Sequence, residues 1–309
     1  MNLSKLRKVG DGNIVFSEAS LLSLGGILHA AAQNNTQKEL NVINGTVDIP
    51  GGAIALWVQE SASKDSFKYF DKVNSVNFLE DGVKDKVNIW VSNATNKMIP
   101  SLFDKEFSKR TRFCAVSALY FTGDWDFQAK SYNFNGFTEK KVIPFIEKKE
   151  TFEIADNDKY TAVKIWYKDN CSYFVVVMPK NNDFENISVD KIDFKSEEIL
   201  FSMPKLNIED SHDLIPYLQS IGVVEAFSGG DFGGLTDLPI DLAQVFQKVR
   251  IELDEKGTKA AAATVAVGYL RCIRLEPRNV KIDKPYLFFI NKEENGVTHN
   301  LFSGRIEMP

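Results

Sequence analysis

Histidine and cysteine are scarce in this chain of 309 residues, with three of each, and that scarcity removes most catalytic chemistries at once. Cys114, Cys171 and Cys272 lie far apart, form no CxxC pair and have no histidine nearby. A structural zinc site needs about four soft ligands at set spacings, so no metal is expected. Three unpaired thiols fit a reducing compartment, and a cytoplasmic location is the expectation. No apolar run approaches the ~20 residues of a membrane-crossing helix, so no membrane partner is expected. Met1 to Phe16 lacks the long apolar core of a secretory signal. Asn-x-Ser/Thr triplets begin at Asn2, Asn34, Asn44, Asn93, Asn170 and Asn186, but an Asn-rich chain produces them by chance. A basic excess is missing too. Lys plus Arg is 37 against 42 for Asp plus Glu, and a net charge of −5 argues against a nucleic-acid partner.

HExxH, GxSxG, the P-loop and GxGxxG are all absent. His29 sits in a helix-like run as a packing residue, His212 follows Ser211 near a helix start, and His299 falls in a turn-rich stretch. The Gly-rich piece from Ser228 to Gly234 lacks the strand–turn–helix setting of a phosphate cradle and reads as a surface turn. The expectation is a protein that is not an enzyme and carries no cofactor.

What is present is an ordinary globular composition, 44% hydrophobic and 26% charged, which excludes a disordered chain. Periodicity predicts helices over residues 21–32, 37–42, 85–96 and 214–227. Strands are predicted over 53–58, 112–121, 141–154, 160–166, 172–178, 199–206, 245–253, 286–290 and 300–306. The run 112–121 is apolar throughout, as a strand buried on both faces would be. No linker or repeat divides the chain, and one α+β domain over 1–309 is the simplest reading.

Residues 254–274 are the most informative stretch. Four alanines, Ala260, Ala261, Ala262 and Ala263, favour helix by propensity, so a surface helix or linker is one reading. Taken at period two, Thr258, Ala260, Ala262, Thr264, Ala266 and Gly268 form a face made only of small residues, while Lys259, Val265 and Tyr269 fall on the other. Such a strip suits two states, an exposed loop and a strand inside a sheet.

Glu255-Lys256-Gly257-Thr258-Lys259 followed by the four alanines and Thr264 resembles the hinge of inhibitory serpins. The resemblance runs along the chain in order. It includes Asn13-Ile-Val-Phe-Ser17 with Ser20, Trp90-Val-Ser-Asn-Ala-Thr-Asn-Lys-Met98 and Tyr120-Phe-Thr-Gly-Asp-Trp125. It continues through Met203-Pro-Lys-Leu206, the stretch from Leu218 to Phe227, and Lys284-Pro-Tyr-Leu-Phe-Phe289 with Leu301-Phe-Ser-Gly-Arg305. The family likeness implies a large central, mostly antiparallel sheet with further sheets, surrounding helices and an exposed reactive-centre loop, here about 255–279. It implies an inhibitor that a protease cleaves in this loop, after which the loop inserts as a strand.

Hinge spacing within the family places the scissile bond at Arg271-Cys272, sixteen positions after Glu255, with Arg274 and then Leu270 as alternatives. An Arg there points to a trypsin-like serine protease, held in a covalent acyl complex by a monomeric inhibitor. A non-inhibitory member (carrier, chaperone or decoy) and a cysteine-protease inhibitor using Cys272 are the rival readings. The likeness also assigns Ser17, Ser20, Ser117 and Gln247 to the shutter and Trp125 to the breach. Gln247 and Ser117 stand where the family usually has His and Asn, and Gln247 is expected to bond Ser117 or Ser17. About twelve residues precede Asn13, and the short route from Leu40 to Trp57 leaves no room for two family helices, one of them the heparin site. A reduced helix set without heparin follows, a compact form resembling intracellular poxvirus serpins, and with it the expectation of a viral protein acting at the host interface.

Overall fold

A computed structural model describes residues 3–47, 52–60, 62, 64–121, 123–185, 187–256 and 276–309. The chain runs through β1 (Ile14–Phe16), α1 (Glu18–Ala31), α2 (Asn34–Leu40), β2 (Gly52–Gln59), β3 (Val73–Val76) and α3 (Val83–Ala94). Next come β4 (Phe113–Phe121), β5 (Gln128–Asn135), β6 (Lys140–Asp156), β7 (Tyr160–Trp166), β8 (Ser172–Pro179) and β9 (Lys195–Pro204). The chain finishes with β10 (Leu206–Asp213), α4 (Ile215–Ser220), β11 (Gln244–Leu253), β12 (Arg278–Lys281), β13 (Tyr286–Glu294) and β14 (Val297–Ile306). These elements gather into two compact units. One comprises Met1–Val15, Phe121–Ile208 and Ile251–Pro309, the other Phe16–Tyr120 and Glu209–Arg250. Each is assembled from separated stretches, so no linker marks either in the sequence.

The second unit is organised on a five-stranded sheet in the order β10-β11-β4-β2-β3. β2 runs parallel to β3 and antiparallel to β4. β4 is buried almost end to end, as its unbroken apolar run predicts. The pleat sends Cys114, Val116 and Ala118 to one face, where they share a core with Ala53, Ala55 and Trp57 of β2 and with Val83, Val87 and Val91 of α3. Those valines recur every four residues and form the single apolar stripe by which α3 lies on the sheet. Ile89 points the other way and is 62% exposed. No side chain caps the start of α3, which follows Gly82 at φ 86. The Glu106 carboxylate instead accepts from Gly82 N at 3.2 Å and Lys84 N at 3.3 Å, placing negative charge at the positive end of the helix.

The first unit carries a nine-stranded sheet ordered β1-β14-β13-β8-β7-β6-β9-β12, with β5 paired to β6. The β7–β8 hairpin turns where the sequence signals it: Asp169 Oδ1 accepts from Cys171 N and Ser172 N, and Asn170 adopts φ 54.

Several local expectations are corrected. The single strand expected over 199–206 is two strands in different sheets, β9 pairing with β6 and β12, β10 lying next to β11. Lys205 makes the crossing, its N–H donating to Pro144 O at 3.0 Å. His212 therefore sits at the end of β10, just before the start of α4, and His299 pairs with Lys292 within the β13–β14 ladder. β5 went unnoticed because most of its residues are polar and exposed. The Gly-rich turn packs tightly on α1: Gly234 N donates to Ala31 O at 3.0 Å, and a Cβ on Gly234 would lie 2.7 Å from Ala30 O.

Candidate functional site

The residues that sequence placed in the shutter meet at the N-terminus of α1. Ser17 caps the helix, its Oγ accepting from Ser20 N at 3.2 Å. Gln247 on β11 is fully buried and uses both ends of its amide there. Its Oε1 accepts from Ser17 N at 3.0 Å, and its Nε2 donates to Ser17 O at 2.8 Å and to Ser20 Oγ at 2.7 Å. Ser117 on β4 donates to the same Ser20 Oγ at 2.9 Å. Gln247 thus reaches Ser17 directly, whereas Ser117 joins through Ser20. The Ser20 hydroxyl is a single-atom bridge from α1 to both β4 and β11, the two neighbouring strands at the middle of the five-stranded sheet. All four side chains are shielded from water, where each such bond is costly to leave unmade.

On the opposite face of β11, alternation presents Phe246, Lys248 and Arg250 to the segment that follows α3. Phe246 meets the Phe103 ring edge-on at 4.7 Å, and Lys248 Nζ donates to Ser101 O at 2.8 Å and pairs with Glu209 at 2.7 Å. Arg250 donates to Met98 O at 3.2 Å. Sequence reasoning missed these contacts. The signal was the pair of cations alternating on a strand that should be largely buried.

At the C-terminal end of β11 the chain is held by two aromatic residues. Trp125 Nε1 donates to Asp254 O at 2.7 Å, and Phe127 N donates to Glu255 O at 2.8 Å. The Trp125 indole stacks on Tyr167 at 5.1 Å with an 11° interplanar angle and meets Phe127 edge-on at 5.3 Å. A Cβ on Gly123 would approach the Tyr167 ring to 2.5 Å, so glycine is required beside this stack. The Glu255 carboxylate pairs with the Lys205 ammonium, which holds the carboxyl below its ordinary pKa. Lys205 lay inside a motif quoted for the family likeness, but its role as partner of Glu255 was not legible there. Lys256 N donates to Asp254 Oδ1 at 2.9 Å.

Gly257, Thr258, Lys259, Ala260, Ala261, Ala262, Ala263, Thr264, Leu270, Arg271, Cys272 and Arg274 lie outside the described residues. Beyond them the chain returns as β12, parallel to β9. Arg278 is tied there to Asp156 and, at 3.5 Å, to Glu197, while Lys180 reaches Asp156 at 2.9 Å. Burial pushes the Asp156 carboxyl up, but bonds from Lys180 and Thr161 and the charges of Lys180 and Arg278 outweigh it and hold the pKa down. Among the described residues no group of three or more His, Cys, Asp or Glu is placed to hold a metal ion, and no helix is long and apolar enough to cross a membrane.

A family model described as Serpin (serine protease inhibitor) matches residues 53–309. An uncharacterized serpin-like protein of Methanosarcina acetivorans is 27% identical over an alignment of 358 positions, spanning 98% of this chain and 84% of its own length. Serpin B8 of Homo sapiens is 29% identical, over 78% of this chain and 70% of its own. Among solved structures, native protease nexin-1 with heparin superposes with a TM-score of 0.81 at 24% identity, covering 96% of this chain and 93% of that one. At that identity the superposition establishes the fold, an α+β architecture with a reduced set of helices. These relatives are archaeal and human, and they lend no support to a viral origin.

Proposed function

Because the chain belongs to the serpin family, we propose that it is an inhibitory member that traps a trypsin-like serine protease as a suicide substrate. In this reading the protease serine Oγ attacks the Arg271 carbonyl carbon. The bond to Cys272 N breaks, that nitrogen leaves as an amine, and Arg271 remains ester-linked to the enzyme. The segment that begins at Gly257 then enters the seam between β4 and β11. The entering strand offers backbone groups to both neighbours and buries its small face, so the cleaved form gains stability that the intact form lacks. The protein supplies no catalytic group.

The observation that carries the reading is the seam itself. β4 and β11 are direct neighbours, and both are tied to one hydroxyl, that of Ser20. One additional strand widens such a seam by about 4.8 Å, more than any hydrogen bond from Ser20 to both strands can span. Small residues at Thr258, Ala260, Ala262 and Thr264 support it, because bulk or charge there would meet a packed interior. The anchorage of Asp254 and Glu255 supports it as well, since it holds the residues that immediately precede the proposed hinge.

Incubation with a panel of trypsin-like proteases, read on a denaturing gel, tests the proposal. A covalent band of summed mass is expected, and Arg271→Ala should abolish it without loss of fold. Cleavage without a stable band would make the protein a substrate-like or carrier member. A band retained in Arg271→Ala but lost in Arg274→Ala would move the scissile bond.

A further inference from the structure

A recess of about 320 Å³ opens in the second unit beside the start of β2. Three elements line it, each with a single face. Ser23 and Ile27 stand four residues apart on α1, and Gly52 and Ile54 alternate on β2. Tyr69 and Lys72 close one 3-10 turn before β3, Lys72 N donating to Tyr69 O at 2.9 Å, and side chains three apart in such a turn eclipse one another.

The inside of the recess is aliphatic. Ile27 and Ile54 face it together with Val47. Ser23 is the polar side chain that α1 contributes, and its hydroxyl is engaged with Val47, donating to its O at 2.9 Å and accepting from its N at 3.1 Å. A dry apolar cavity of about 150 Å³ holds benzene, so twice that volume takes a ligand of about ten non-hydrogen atoms.

Charge enters from one side only. Lys72 is the single charged residue that lines the recess, and no carboxylate does. Its neighbour Asp71 lies 3.5 Å from the ammonium, with the two side chains 51% and 71% exposed, so water screens the pair and leaves Lys72 open to a better partner. A second ammonium, that of Lys68, stands 5.0 Å over the Tyr69 ring. The recess therefore joins an aliphatic interior to a positive rim.

We propose that it binds a straight-chain aliphatic carboxylate of about eight carbons, with the chain against Ile27, Val47 and Ile54 and the carboxylate at Lys72. Ser23 follows Ser20 by three residues on α1, so the occupant lies against the helix that carries the bridging hydroxyl of the seam.

Calorimetric titration of the full chain with octanoate, octanamide and octylammonium tests the assignment. Octanoate should bind one to one with a dissociation constant on the order of 10–100 µM. Octanamide should bind about three- to tenfold more weakly, and octylammonium more weakly still. Lys72→Gln should weaken octanoate by about three- to tenfold while leaving octanamide unchanged, which isolates the ammonium–carboxylate contact from the packing of the chain. From butanoate to octanoate the affinity should rise about fourfold per methylene, and the gain should stop once the recess is full. Isoleucine methyl resonances locate the ligand: Ile27 and Ile54 should shift, while Ile143 and Ile165 of the first unit stay in place. Equal affinity for the three head groups, undiminished octanoate binding in Lys72→Gln, shifts confined to Ile143 or Ile165, or no saturation at millimolar octanoate would each overturn the assignment. None of these measurements involves a protease, so failure of the inhibitory reading would leave their outcome unchanged.

Discussion

Replacing Ser20 by alanine removes one oxygen and tests whether the seam between β4 and β11 is latched as its geometry indicates. The variant loses the 2.7 Å bond from Gln247 and the 2.9 Å bond from Ser117. Gln247 keeps its bonds to Ser17 N and Ser17 O, whereas Ser117 loses the partner that its buried hydroxyl uses. A net neutral hydrogen bond contributes about 0.5–1.5 kcal/mol, and a buried hydroxyl left unpaired costs more, so the native state should be destabilised by about 2–3 kcal/mol. An entering strand must break the same bridge, so the opened state loses nothing through the substitution and the barrier to opening falls by the same amount. On the proposed inhibitory function, spontaneous loss of inhibition on warming should then be about 30- to 150-fold faster.

Urea unfolding measures the first effect and timed inactivation the second. Ser117→Ala supplies the control. Because Ser117 and Ser20 share one bond, the double variant should cost less than the sum of the single variants, by about 0.5–1.5 kcal/mol. A Ser20→Ala protein within about 0.5 kcal/mol of the parent, or strict additivity with Ser117→Ala, would refute the bridge.

On the proposed mechanism of strand entry, Thr258→Arg should convert inhibitor to substrate: a buried cation without a partner costs on the order of several kcal/mol, so cleavage at Arg271 should persist while the covalent complex disappears. Full-stoichiometry trapping by that variant would rule out strand entry. Glu255 has a folded pKa held below its ordinary value by Lys205, so its contribution to stability is present at neutral pH and is lost as pH falls from about 4.5 through that lowered pKa. Glu255→Gln should therefore lower stability at pH 7 and flatten the acid limb of the stability curve, which chemical unfolding at stepped pH will show. Cys114 is fully buried and its thiol pKa is pushed far up by burial, so it should resist alkylation in the native protein until unfolding, while half-buried Cys171 reacts. Mass-mapped labelling with equal rates at both positions would contradict the burial of β4. Arg278→Ala removes the ion pairs to Asp156 and Glu197 and should increase proteolytic nicking near β12, with modest loss of global stability because the pairs are partly exposed.

Elements whose signal is local were legible from the chain alone. β7 spans the run of residues predicted as a strand, β4 is the apolar run expected to be buried on both faces, and α3 carries its valines at helical spacing. The small-residue face from Thr258 to Gly268 is likewise a property of sequence, because pleat alternation needs nothing but neighbours.

Family likeness put Gln247 within reach of Ser17 or Ser117, and the bond to Ser17 forms, but sequence could not supply which atoms join such distant residues. Gln247 and Ser20 are 227 positions apart and Ser117 and Ser20 are 97 apart, so which hydroxyl bridges the two strands emerged only when α1, β4 and β11 were brought together. Lys205 shows the same limit at shorter range. Its flanks read as one strand, yet the chain leaves one sheet and enters another there, and its ammonium finds Glu255 fifty residues on. Periodicity records which face of an element is buried; it does not record what that face is buried against. Hydrogen bonds and ion pairs need partners at about 3 Å, and only the packed chain sets those distances.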